Sequence, residues 1–446
     1  MNKIEIVKTC VEGNFIRYAV REDSGLGLLQ QETVNLFIQY HFNESFDCDL
    51  SNLPLSILVL PISIYMIPIT YFYPVEVVIP EMDKELYEHL PKIYAAYAKI
   101  YGPFKEDWRG KVTIKKIVDN KFSGMPKYDK VVFFSGGVDA CHAGINNPGK
   151  KSLLVSIPDI EYNAKSEGAL RDEKFSLIRH FANVVHSDWL LISNNFNTGL
   201  FRDQEILKYL SGVRRLSSPA YRFDGWHGIK YVPNMCCVAP ISWLMGVQSL
   251  VMGSTCEEIE GRYADNFDGA NPAITNSFVF ANICFAEQDG LKVRRSRKVS
   301  NIIEWCKTSG VRTKLWACFN DKSVQCGFCS KCVRTQLNIL CAGENPTDWG
   351  FDNFSEKQFS SYIRAYKYRE SNPCWLWDNI DSIDDNKVYP HLNKMLHWLK
   401  RIGYKKYIRR ANAHASSLFS RPLRRMLSIK KYPYYAKIIL TRLTGL

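Results

Sequence analysis

The chain has 446 residues, of which 46% are hydrophobic, 13% aromatic and 23% charged, so it can fill a substantial core and is not an intrinsically disordered protein. Its length suggests two or three domains. The net charge of +13 is local: positions 386–446 hold fifteen Lys and Arg and no Asp or Glu, leaving 43 basic against 45 acidic residues, a net of −2, in positions 1–385.

In chain order, residues 1–13 lack an apolar stretch of the length a secretory leader needs. Fourteen cysteines, mostly scattered, fit a reducing compartment, and a cytoplasmic location is expected. Residues 1–127 read as a separate, strand-rich mixed domain with one helix over residues 84–101. Within it, residues 53–75 carry no charge, a length that approaches a membrane span. Pro54, Pro61, Pro68 and Pro74 divide that stretch into short pieces rich in Ile, Val and Tyr, which are expected to be buried strands. No transmembrane segment is expected. Residues 120–127 have linker character.

From Lys130 the pattern changes. Short apolar runs at 131–134, 152–157, 188–193 and 250–253 alternate with helical stretches, notably 173–185 and 235–250. This alternation predicts an α/β domain with a parallel, doubly wound sheet over residues 128–345. The remainder, 346–446, reads as helical and ends in the basic tail.

Two motifs carry chemistry. The run Ser135-Gly136-Gly137-Val138-Asp139-Ala140 follows a predicted strand and leads into a helix. Paired glycines let backbone N–H groups approach an anion at a helix start, and Ser135 adds a hydroxyl. A plain turn is equally compatible with this segment alone. The second motif is Cys318-x7-Cys326-x2-Cys329-x2-Cys332. Four thiolates at these spacings can close a tetrahedral zinc site, and four protein ligands leave no open position, so the metal is expected to be structural. Redox chemistry is the alternative, but it normally uses one Cys-x-x-Cys pair.

The loop resembles the Ser-Gly-Gly-x-Asp-Ser signature of PP-loop ATP pyrophosphatases, with Ala140 in place of the last serine. Combined with the cysteine pattern, it is similar to the 7-cyano-7-deazaguanine synthase (QueC) family. Residues 231–234 (Tyr-Val-Pro-Asn), 252–258, 261–265, 315–319 and 332–334 resemble further family segments, so the likeness covers about residues 128–345. Acidic Glu258 and Asp265 fall at matching positions. The family's run after the second strand is not reproduced at 157–162, which points to an altered acceptor pocket.

The resemblance implies an ATP-dependent C–N ligase that adenylates the carboxylate of a 7-carboxy-7-deazaguanine-like acceptor and releases pyrophosphate, for amide or nitrile formation or for conjugation. It implies that Ser135, Gly136, Gly137, Val138 and Asp139, with Asn234, bind ATP. Asp139, Glu258 and Asp265 would hold Mg2+ and serve catalysis. Chain length and added regions are similar to long QueC-like proteins of anti-phage defence systems, where protein partners are expected. Two further readings stay open: a degenerate nucleotide- or base-binding subunit of such a complex, and a tRNA-modifying PP-loop enzyme. The basic, aromatic tail would attract nucleic acid or another polyanion, or pack as a solvated helical appendage.

Overall fold

The computed structural model describes residues 2–23, 27–42, 49–101, 110–158, 169–212, 226, 228–254, 269–318, 324–369 and 373–419. Alternation of buried and exposed side chains shapes the first strands, β1 (Lys3–Glu12), β2 (Phe15–Glu22) and β3 (Thr33–Phe42), into an antiparallel meander. Next come β4 (Glu76–Ile79), β5 (Met82–Asp83), β6 (Lys111–Ile114) and β7 (Ile117–Val118). The strands read from apolar runs follow: β8 (Lys130–Phe133), β9 (Ser152–Ser156), β10 (Asp188–Asn194) and β11 (Ser249–Val251). A short hairpin of β12 (Val279–Phe280) and β13 (Ile283–Phe285) completes the set.

Eleven strands form one mixed sheet in the order β12-β13-β11-β8-β9-β10-β3-β2-β1-β4-β6, while β5 and β7 pair separately. Its centre, β13-β11-β8-β9-β10, is parallel throughout. Of these, β8, β9 and β10 are buried on both faces along almost their whole length, which is why they read as continuous apolar runs without alternation. From β8 the chain adds β9 and β10 on one side, then β11 and β13 on the other. The order therefore reverses between β8 and β11, and the carboxyl ends of strands at such a reversal open a crevice where ligands bind.

The structure departs from the sequence reading in residues 53–75. They form two helices, Leu55–Leu58 and Leu60–Phe72, and not strands. Pro54 precedes the first helix, Pro61 occupies the first turn of the second, and Pro74 lies beyond its cap Tyr73. At those positions no intrahelical N–H is lost. Pro68 alone interrupts a helix interior, and every residue of Leu60–Phe72 is buried, so no polar face marks the helical period. No described helix is long and apolar enough to cross a membrane.

The expected boundary at residue 127 does not divide the sheet either. β3 pairs with β10, with Phe42 opposite Leu190 and Ile38 opposite Asn194, so the N-terminal meander continues the α/β sheet. The chain forms two compact units, residues 1–326 with 348–352, and residues 327–347 with 353–446. The second contains the helices Ser330–Ala342, Glu356–Arg364, Pro373–Asp381, Asn393–Ile402 and Tyr404–Phe419. They surround a core that includes Val333, Leu337, Phe359, Leu376, Leu396 and Tyr407. The helical region expected from 346 thus begins at Ser330.

Candidate functional site

The Gly-Gly loop lies at the carboxyl end of β8, beside the reversal in strand order. Phe134 N continues the ladder to Val155 O at 2.7 Å, and the chain then turns at Gly136, whose φ of 82° is in the left-handed region. A Cβ on Gly136 would also lie 2.2 Å from Leu177 Cδ2 and 3.1 Å from Trp316 Cβ. Gly137 caps the helix Val138–Asn146, and exposed Ser135 accepts a hydrogen bond from Gly137 N at 3.4 Å through its hydroxyl. The first-turn amides of that helix therefore sit at the carboxyl edge of the sheet, a position suited to an anion. Val138 is buried and contributes backbone only. Gly253, two residues past β11, closes the other side: a Cβ there would fall 2.2 Å from the Asp139 carbonyl oxygen.

Asp139, in the first turn of the helix, is engaged by two buried cations. Arg295 donates to Oδ2, and Lys298 Nζ donates to Oδ1 at 3.0 Å and to Ser254 O at 2.7 Å. Arg295 and Lys298 side chains are 8% and 0% exposed. Burial pushes the Asp139 carboxyl upward, but the two positive charges and their hydrogen bonds win and hold it well below the usual carboxylate range. Next to this pair, His142 Nδ1 meets Asp289 Oδ1 at 2.8 Å, Asn146 bonds the same carboxylate, and Asn301 contacts His142 Nε2 at 3.3 Å. The helix Arg295–Ser309 thus brings positive charge to the first turn of Val138–Asn146.

Asn234 lies at a different place. It is fully buried in the helix Tyr231–Met235, where its Oδ1 accepts from Asn194 Nδ2 at 2.9 Å, at the end of β10. Its side chain bonds Asn194 and Cys237, not the loop. Glu258 and Asp265, with the segment 261–265, lie outside the described residues.

The four cysteines converge. Sγ atoms of Cys318, Cys326, Cys329 and Cys332 all lie within 4.8 Å of one another. Zinc bonded to thiolates at about 2.3 Å sets them about 3.8 Å apart, so a small contraction closes a tetrahedral site. Backbone N–H groups of Cys326 and Cys332 donate to the sulfurs of Cys318 and Cys329 at 3.3 and 3.4 Å, which favours thiolate charge. The cluster could hold a metal ion such as zinc.

Gln325 braces this segment. Its Oε1 accepts from Ala317 N at 2.7 Å, and its Nε2 donates to Leu315 O and Gly350 O at 2.8 and 2.7 Å. That fixes residues 315–317, and Trp316 N donates to Gly136 O at 2.6 Å. The cysteine segment and the Gly-Gly loop are therefore one hydrogen bond apart. Arg295, Lys298 and Gln325 were not singled out from sequence, whereas Trp316 falls in the family-like segment 315–319. The basic run Arg294-Arg295-Ser296-Arg297-Lys298 opening a helix was the available signal.

Chemically, the arrangement offers helix-start amides, a hydroxyl and two buried cations around a carboxylate, a set suited to a polyphosphate. No protein-family model, curated protein or solved structure matches this chain.

Proposed function

We propose that this chain is a QueC-like, PP-loop ATP-dependent ligase that adenylates a carboxylate on a deazapurine-like acceptor and releases pyrophosphate. The observation that carries this reading is the placement of the Ser-Gly-Gly loop: it opens a helix at the carboxyl end of β8, where the strand order reverses. Gly137 adds support. Its φ of −71° suits any residue, and a Cβ would meet nothing closer than Ser135 Oγ at 3.4 Å, so neither conformation nor packing demands glycine there. Close approach of a phosphate to the backbone accounts for it.

ATP, when bound, supplies the adenylyl group that activates the acceptor carboxylate. The amides of 135–139 and the Ser135 hydroxyl would hold the departing pyrophosphate, and Lys298 and Arg295 would offset its charge. Mg2+ would draw on Asp139, whose carboxylate must then exchange one of its cations for the metal. The cysteine cluster would hold zinc as a structural staple with no open coordination position.

A second reading, a nucleotide-binding subunit without turnover, is favoured by Ala140, which removes one hydroxyl from the loop, and by the tight engagement of Asp139. The purified chain incubated with ATP, Mg2+, 7-carboxy-7-deazaguanine and ammonium, whose attack on the acyl-adenylate displaces AMP, separates the two. Release of AMP and pyrophosphate is expected. ATP binding without AMP would support the second reading, and no ATP binding would sink both.

A further inference from the structure

We propose that the exposed face around the helix Tyr404–Phe419 is a binding surface for single-stranded nucleic acid. The surface lies wholly within the second unit and needs no nucleotide at the 135–139 loop. Lys405, Lys406, Arg409 and Arg410 are all exposed on this helix, while Tyr407 and Ala411 turn into the core. Among the described residues no carboxylate pairs with any of the four, and positions 386–419 contain no Asp or Glu. The pattern is unfavourable to the helix itself. Lys405 with Arg409 and Lys406 with Arg410 are like charges at i,i+4, and the two lysines occupy a first turn that has no acidic residue, against the helix dipole. A bound polyanion would remove both penalties.

Aromatic rings give the surface its second property. The Arg410 guanidinium lies 5.4 Å from the centre of the Tyr366 ring and bonds its hydroxyl, and Arg364 lies 5.2 Å from the Trp398 ring. The two rings are 5.9 Å apart and partly exposed. Tyr366 adopts a φ of 56°, a left-handed conformation that a bulky residue holds only where its surroundings impose it. Cations and flat rings thus alternate, as in platforms that hold phosphates by charge and unstacked bases by stacking. An anionic bilayer fits less well: a membrane-surface helix inserts its apolar face, and here that face is in the core, with no large apolar side chain exposed on described residues 393–414.

The test uses the full-length protein and a short fluorescein-labelled single-stranded RNA of mixed sequence, with affinity read by anisotropy between about 50 and 200 mM salt. Binding is expected to weaken steeply with salt. Combining Lys405→Gln, Lys406→Gln, Arg409→Gln and Arg410→Gln should lower affinity by about 100-fold and flatten the log–log salt slope by about 3, at about 0.7 per contact. Trp398→Leu should lower affinity about tenfold, one stacked base, with the slope unchanged. If Trp398→Leu lowers the urea midpoint, Arg364→Gln at an exposed position takes its place, and there affinity should fall with the slope flatter by about 0.7. Unchanged affinity and slope in the four-charge variant would overturn the proposal by placing binding on other cations. So would absence of RNA binding, tighter binding to phosphatidylserine vesicles than to RNA, or equal binding of duplex RNA with no effect at Trp398.

Discussion

Asp139 is bound to residues 156 and 159 positions away, and the consequence is an ion triad in which every member depends on the others. Replacing Asp139 by Asn removes the carboxylate that Arg295 and the fully buried Lys298 share, and loss of about 3–5 kcal/mol is expected from urea midpoints. The pH dependence follows from the depressed carboxyl. Unfolded, the group titrates near 3.9, so its stabilisation is fully present above about pH 4 and is lost as the pH falls toward the lower folded value. The gap between wild type and Asp139→Asn should therefore shrink below about pH 4; a gap constant with pH would show that the carboxylate charge is not what holds the cations. The glycines give a paired test. Gly253→Ala drives a Cβ against a backbone carbonyl and should cost about 1–3 kcal/mol, since a carbonyl cannot swing aside as a side chain can. Gly137→Ala should leave thermal stability unchanged yet weaken ATP binding by about tenfold, about 1.4 kcal/mol. Loss of stability in Gly137→Ala, with ATP binding intact, would remove the phosphate reading of that glycine. The loop was legible because Ser135 to Asp139 are contiguous. Arg295 and Lys298 were not, because nothing in a local pattern reports which distant helix packs on the loop.

At the scale of elements, the cysteine segment acts on the loop through Trp316. Gln325 fixes residues 315–317, and the Trp316–Gly136 hydrogen bond passes that order to the Gly-Gly loop. Metal analysis is expected to find one zinc per chain, lost in Cys329→Ser. Its removal by a chelator should lower thermal stability and weaken ATP binding about fivefold, the equivalent of one hydrogen bond of about 1 kcal/mol. ATP affinity that is indifferent to zinc would show that the two motifs share the fold without coupling. The cysteine spacing was legible because knuckle geometry is local. The strands β8 to β11 were legible because double burial leaves a short apolar run. The same cue misled at residues 55–72: a helix buried on every side also reads as an apolar run, and prolines mark a strand break or a helix start alike.

At the scale of the molecule, the decisive feature is the seam between β3 and β10, which makes residues 1–127 part of the sheet that carries the loop. Residues 120–127 have the composition of a linker, yet Asn120 is buried, accepting from Ser56 Oγ and donating to Asp83 Oδ2, both at 2.9 Å. Asp83 in turn accepts from Ala281 N at 2.8 Å, in the two-residue turn between β12 and β13, where Ala281 and Asn282 are both left-handed. The N-terminal residues therefore support the parallel strands at both flanks, through β3 at β10 and through Asp83 at the β12–β13 hairpin. A chain beginning at residue 128 would expose the edge of β10, a seven-residue strand buried over the six residues from Trp189 to Asn194, and uncover the surface of 231–244 on which the helix Leu60–Phe72 packs. An apolar, unpaired strand edge recruits other chains, so this fragment is expected to aggregate, and residues 1–127 alone should fare no better because their buried helix loses its partner. Expressed together, the two fragments should associate and recover ATP binding. A monomeric, cooperatively folded 128–446 fragment would show instead that the parallel strands stand alone and that the N-terminal meander is an addition to a self-sufficient core.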